Sequence, residues 1–132
     1  MRLFSKSLLL AASVLLLPAA PTMAQDSPAR KELKREDLTG APGMEVINSI
    51  SELKPGDFLA LHFHHGIESG VVLQGGTVEI PGKGQMALPT GAPIMNLRNV
   101  AHGGWKVVGD TTIRLFTVHI VDKGKPLYDT PK

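Results

Sequence analysis

After Met44 the chain alternates between apolar and polar residues in short runs, and glycine or proline separates many of them. "MEVINSI", "FLALHFHH" and "TIRLFTVHIV" alternate at period two, while "SGVVLQ" and "TVEI" are short and rich in β-branched residues. Pro55-Gly56, Gly75-Gly76, Pro81-Gly82-Lys83-Gly84, Gly91, Gly103-Gly104 and Gly109-Asp110 punctuate them. Period two sends successive side chains to opposite faces of a strand. Turn residues at such close intervals leave little room for the helix of a βαβ unit. No segment here carries a 3.6-residue apolar stripe. The pattern predicts an all-β sandwich or barrel.

The first residues are not expected to join that fold. Arg2 and Lys6 precede an apolar run from Leu8 to Leu17, and Thr22-Met23-Ala24 closes the segment. That is the layout of a secretory signal peptide, residues 1–24, cleaved between Ala24 and Gln25. The run is short of the ~20 residues of a membrane span, so the mature form is expected to be periplasmic or secreted, with no membrane segment. Cleavage removes two positive charges, which is the whole of the formal net charge of +2. A neutral mature chain gives no electrostatic case for nucleic acid or an anionic membrane. Among 132 residues there is no cysteine. Export without disulfides leaves packing, a metal or a partner subunit to hold the domain, and any metal must take nitrogen and oxygen ligands. Residues 25–43 are charged and read as a flexible N-terminal arm with a short extended segment. Residues 44–127 read as the barrel and 128–132 as a C-terminal tail. The arm and "MEVINSI" are suited to adding a strand to a neighbour's sheet, which points to a homodimer.

Three of the five histidines and a glutamate fall between His62 and His65 and at Glu68. Imidazoles and carboxylates are costly to bury without partners. In "FLALHFHH", Phe58, Ala60, His62 and His64 share one face, and after a turn at Gly66, Glu68, Gly70 and Val72 share a face of the next strand. A hairpin brings such faces within about 5 Å, so His62, His64 and Glu68 converge on a divalent metal ion or on one another as a hydrogen-bonded polar cluster. His65 points to the other face. Two histidines and a carboxylate on one face suit Fe(II), and similar sets accept Mn, Ni, Cu or Zn.

The same residues resemble the first motif of the cupin family: Gly, five residues, His-x-His, three or four residues, Glu, six residues, Gly. Gly56, His62, His64, Glu68 and Gly75 satisfy every interval. The resemblance covers roughly residues 34–127 and implies a jelly-roll barrel with a metal held inside by motif residues, often in a dimer. The second motif departs from the pattern. "GQMALPTGAPIMNLRN" keeps Pro89 and Gly91, but where the family places a ligand histidine this chain has Ile94 or Met95, depending on whether the count runs from Gly91 or from Asn99. Three protein ligands then remain, unless His119 of "TIRLFTVHIV" substitutes; a lone buried histidine bonded to backbone or water is the simpler reading of it. His102, in a glycine-rich turn, reads as solvated.

Phe58, Val72 and Met95 are expected to line a pocket for a small, partly apolar organic ligand. Arg98 either grips a ligand carboxylate through a bidentate fork or lies on the surface. Trp105 lines the mouth or packs in an inserted hairpin. A metal in such a pocket suits dioxygenase-like, lyase or isomerase chemistry by analogy with the family. A non-catalytic metal- or ligand-binding module fits the missing histidine of the second motif equally, and a metal-free degenerate barrel is the third reading.

Overall fold

The alternation of "MEVINSI" and "TIRLFTVHIV" becomes two long strands paired with each other. The computed structural model describes residues 27–132, so the expected signal peptide lies outside the described residues. In chain order the strands are β1 (Arg30–Asp37), β2 (Met44–Leu53), β3 (Phe58–Leu59), β4 (Gly66–Gln74), β5 (Gly76–Ile80), β6 (Gly84–Leu88), β7 (Pro93–Asn96), β8 (Trp105–Val108) and β9 (Ile113–Asp122). The described residues contain no helix. One sheet has the order β1-β2-β9-β4-β7 and the other β3-β8-β5-β6, with every pairing antiparallel. This is the two-sheet jelly-roll barrel expected from the sequence.

The apolar core gathers at one end. Leu53, Val72, Ile113 and Leu115 from the first sheet meet Val78 and Val107 from the second. Each such side chain contributes about 1.5–3 kcal/mol on full burial. Val72, expected in a ligand pocket, belongs to this core and is 1% exposed. Along β9 the buried face then changes character, from Ile113 and Leu115 to Thr117 and His119. Packing holds one end of the barrel shut, and toward the other Thr117 and His119 share the buried face with Ile47 and Val121.

Three expectations change. The segment read as a flexible arm contains an eight-residue strand, β1, and "MEVINSI" is enclosed between β1 and β9 of its own sheet. Residues 62–64 do not continue β3, which stops at Leu59; they bridge outward at His62 to His102 and at Phe63 to Asp129. Gly66 is not a hairpin turn. It opposes Val121 in the β4–β9 ladder, and a Cβ there would strike the Ile120 carbonyl and approach Val121 Cα to 2.5 Å. Here the chain leaves one sheet and enters the other, at a corner only glycine fits.

Candidate metal centre

In sheet register Glu68 on β4 lies opposite His119 on β9 and opposite Asn96 on β7. Opposed residues share a face, so one row across three strands carries a carboxamide, a carboxylate and an imidazole. His62 and His64 approach that row from the crossing segment. The backbone N–H of His62 donates to the His102 carbonyl at 2.9 Å and the His62 carbonyl accepts from the His102 N–H at 2.8 Å, while Phe63 exchanges bonds with Asp129 on the other side. Held from both sides, the segment turns His62 and His64 inward, 4% and 0% exposed. His65 faces away and bonds Asp129 at 3.0 Å.

His64 therefore meets Glu68 across a corner between sheets and not along a hairpin, and His62 joins His64 and His102 beside it. His64 Nε2 is 3.4 Å from Glu68 Oε2, and His119 Nε2 is 3.3 Å from Glu68 Oε1. His102 joins them: its Nε2 lies 3.3 Å from Glu68 Oε2 and 3.1 Å from His64 Nε2. The sequence reading left this residue in solvent. Its neighbour Gly103 marks a close approach instead, since a Cβ there would meet the Ala60 carbonyl at 2.6 Å and the His62 ring at 3.2 Å. A histidine just past a damaged second motif was the one available signal for His102. The position opposite Glu68 is filled by Asn96, whose Nδ2 donates to Glu68 Oε2 at 2.6 Å.

The backbone fixes the tautomers. His62 Nδ1 contacts the Ala60 carbonyl at 2.7 Å, His64 Nδ1 the Leu127 carbonyl, and His102 Nδ1 the Val100 carbonyl at 2.9 Å. A carbonyl only accepts, so each Nδ1 carries its proton, and in a neutral ring Nε2 presents a bare lone pair. Carbonyl-held imidazoles aimed at one point are the usual outer support of metal ligands. Two such nitrogens 3.1 Å apart repel unless a cation or proton lies between them. His119 is fully buried, and neither of its ring nitrogens has a hydrogen-bond partner among the described residues; its 3.3 Å approach to Glu68 lacks hydrogen-bond alignment. Buried polar atoms without partners are rare and costly. Donors held about 2.1 Å from an ion sit about 3.0 Å apart in an octahedron and about 3.4 Å apart in a tetrahedron. The observed contacts of 3.1–3.4 Å match that span. Two donor triads, His62-His64-His102 and His64-Glu68-His119, share His64, and these residues fit a divalent metal.

Burial pushes His62 down to about 4, against the pull of the Ala60 carbonyl, and burial also lowers His119. Burial would raise Glu68, but the imidazoles of His102, His119 and His64 outweigh it and hold the carboxyl well below the usual range. For His102 burial acts downward, yet Glu68 and the Val100 carbonyl raise it overall. The unfolded chain therefore takes up protons at positions 62 and 119 as pH drops below about 6.5, and at Glu68 below about 4.5, before the folded chain does. His102 works the other way, its contribution being lost as pH rises. Within this range His62 and His119 act against His102, with Glu68 adding its share only below about pH 4.5, and the chelated protein is expected to lose melting temperature from pH 7.5 to pH 4.5. A calorimetric melting point that is flat or rises on acidification across that range would contradict this balance.

A cavity of about 340 Å³ opens onto the cluster; His62, Glu68 and His102 form its polar floor, with Met86, Met95 and Trp105 among the apolar walls. Met95 is 59% exposed and contributes at the rim. Ile94 also lines the cavity, and Trp105 stands on β8, half-buried against the core. Phe58 does not reach it. Because β3 ends at Leu59, the alternation linking Phe58 to His62 is broken, and Phe58 is 58% exposed. The fork of Arg98 is spent on Asp122, at 2.8 and 3.0 Å on the surface. Tyr128, from the segment read as a tail, lies 9% exposed with its ring centroid 4.3 Å from that of His62.

No family model and no curated protein matches the sequence. Solved structures of similar shape include the polyketide cyclase RemF from Streptomyces resistomycificus, 22% identical over 80% of this chain and 76% of that one at a TM-score of 0.49. A cupin-2 domain from Rhodospirillum rubrum is 14% identical over 87% and 84%, also at 0.49. A cupin domain from Bordetella pertussis is 18% identical over 74% and 98%, at 0.43. The similar structures thus include small cupin domains, the family whose first motif the residues from Gly56 to Gly75 resemble.

Proposed function

We infer that this chain is an exported metal-binding cupin whose ion is held by donors from the two triads that share His64, His62-His64-His102 and His64-Glu68-His119, at the floor of a cavity for a small, partly apolar organic molecule. What supports this reading is the set of imidazole lone pairs that the backbone aims at Glu68 and at one another, beside an orphaned buried imidazole. Mixed imidazole and carboxylate donors suit Fe(II), and also accept Mn, Ni, Cu or Zn. When bound, such an ion supplies a Lewis acid or redox centre to a molecule in the cavity.

The chain's own groups divide the remaining work. Asn96 holds one oxygen of Glu68 by donating to it. His64 and His119 sit behind the cluster, fully buried, while His62, Glu68 and His102 border the cavity. An open side toward the cavity is what a reactive site keeps and a structural site lacks. Met86, Met95 and Trp105 favour an apolar body, and the polar floor receives an oxygen-bearing end. The activity best matched is metal-dependent oxidoreductase chemistry of the dioxygenase type, with lyase or isomerase chemistry on the same site.

A second reading is a non-catalytic metal- or ligand-binding module. One observation favours it: the donors form two triads sharing His64, so protein side chains beyond a three-ligand set crowd the site. Elemental analysis of the protein isolated from the exported compartment, with oxygen uptake measured on added phenols, enediols and thiols, separates the readings. Bound metal with substrate-dependent uptake is the expected result. Bound metal with no turnover, but a melting shift on chelation, selects the module. Absence of metal from protein that still folds defeats the enzyme and the metal-binding module alike.

A further inference from the structure

Alternation along β2 turns Glu45, Ile47, Ser49, Ser51 and Leu53 toward the interior, and all of them are buried. Burying a polar side chain without a partner is costly. Two of the polar ones are satisfied from β1: Arg35 donates to Glu45 Oε1 at 2.6 Å, and Arg30 to the Ser49 hydroxyl at 2.7 Å. Ser51 is not. It is 7% exposed, its hydroxyl has no hydrogen bond among the described residues, and it borders the cavity that opens onto the metal cluster. Buried hydroxyls in folded proteins find a partner, and for Ser51 the open direction is the cavity.

Register sets Ser51 well away from the cluster. It opposes Leu115 on β9, which opposes Val72 on β4, whereas Glu68 opposes His119, two same-face positions further along. Four residues along the strands and two strands across put the Cα atoms of Ser51 and Glu68 about 16 Å apart. The reach of both side chains and of the ion leaves about 10 Å between the oxygens of a ligand that touches both ends. Ser49, one step nearer the cluster, is committed to Arg30 and does not border the cavity. Val78, Leu88, Ile94, Trp105 and Leu115 supply apolar wall to the same cavity.

We propose that Ser51 is a second anchor for the ligand of this cavity, which makes the ligand class a rod-shaped organic molecule with an oxygen at each end and an apolar middle. One oxygen sits at the metal cluster, and the other shares a hydrogen bond with the Ser51 hydroxyl. The proposal rests on the metal-binding reading above and adds to it the length and the far-end chemistry of the ligand. A molecule that lacks the far oxygen leaves Ser51 unpaired and is selected against.

Titration calorimetry of the purified protein loaded with Zn(II), an ion without redox chemistry, measures binding apart from turnover. The probes are two rigid acids that differ only in the far hydroxyl, 4-hydroxycinnamate and cinnamate. The parent is expected to bind the first about tenfold more tightly, and Ser51→Ala to bind the two alike. 4-Hydroxybenzoate, too short to span the cavity, is expected to gain nothing over benzoate. Circular dichroism checks the fold of Ser51→Ala, and the comparison of long with short acids reads the proposal in the parent without any variant. A parent that binds both long acids equally or neither of them, a preference that survives Ser51→Ala, or the same preference among the short acids overturns the proposal. Zinc content of the same samples separates the two levels: zinc retained without discrimination removes the Ser51 anchor alone, and zinc not retained removes the metal reading with it.

Discussion

Glu68→Gln is expected to abolish metal retention while leaving the barrel folded. The amide matches the carboxylate in size, and its carbonyl still accepts the bond that Asn96 gives to Glu68 Oε2 at 2.6 Å. It removes the one negative charge that His64, His102 and His119 all approach within 3.3–3.4 Å. An ion present at 100 times its Kd adds about 2.7 kcal/mol to stability, which for a domain of this size is about 10 °C or more of melting temperature. The parent should lose that increment on chelation, and Glu68→Gln should melt at the same temperature with and without chelator. Equal metal content in the two proteins would show that Glu68 is not a ligand.

The second large effect is predicted at a residue with no chemistry. Gly66→Val places a branched side chain against the Ile120 carbonyl and Val121 Cα. Those atoms belong to β9, paired over its whole length with β2 and over most of it with β4, so the backbone cannot yield locally. A loss of about 3 kcal/mol or more is expected, at the severe end of single substitutions. Gly56→Ala is the contrast. Gly56 has φ +93° with nothing within 4 Å of a built Cβ, so its cost is conformational, about 1–2 kcal/mol. Urea unfolding of both variants measures the difference; equal midpoints would remove the close-approach argument.

The strand pattern was legible because β2 and β9 alternate over nearly their full length, and alternation survives wherever one face is buried. The site was legible in part. His64 meets Glu68, and His62 joins His64 and His102 in the adjoining triad, but the route was misread: period two carried the strand through Ala60 and made Gly66 a turn, whereas the chain there crosses between sheets. The same error placed Phe58 in the cavity. His102 was missed because its partners are distant in sequence, and its flanking glycines look the same whether they face water or another side chain. Arg98 was undetermined for a similar reason, since its partner Asp122 lies on a strand paired with neither neighbour of that loop. Local periodicity reports faces; it does not report which distant group occupies them.

The contacts from Leu127 to Asp129 bear on when the site can form. The Leu127 carbonyl sets the tautomer of His64, Asp129 exchanges backbone bonds with Phe63, and the Tyr128 ring covers His62. All three act on residues made more than sixty positions earlier. During synthesis the donor side chains are therefore complete before the segment that orients them has arrived. Metal capture in the final arrangement must follow docking of that segment, which makes loading a late event in maturation.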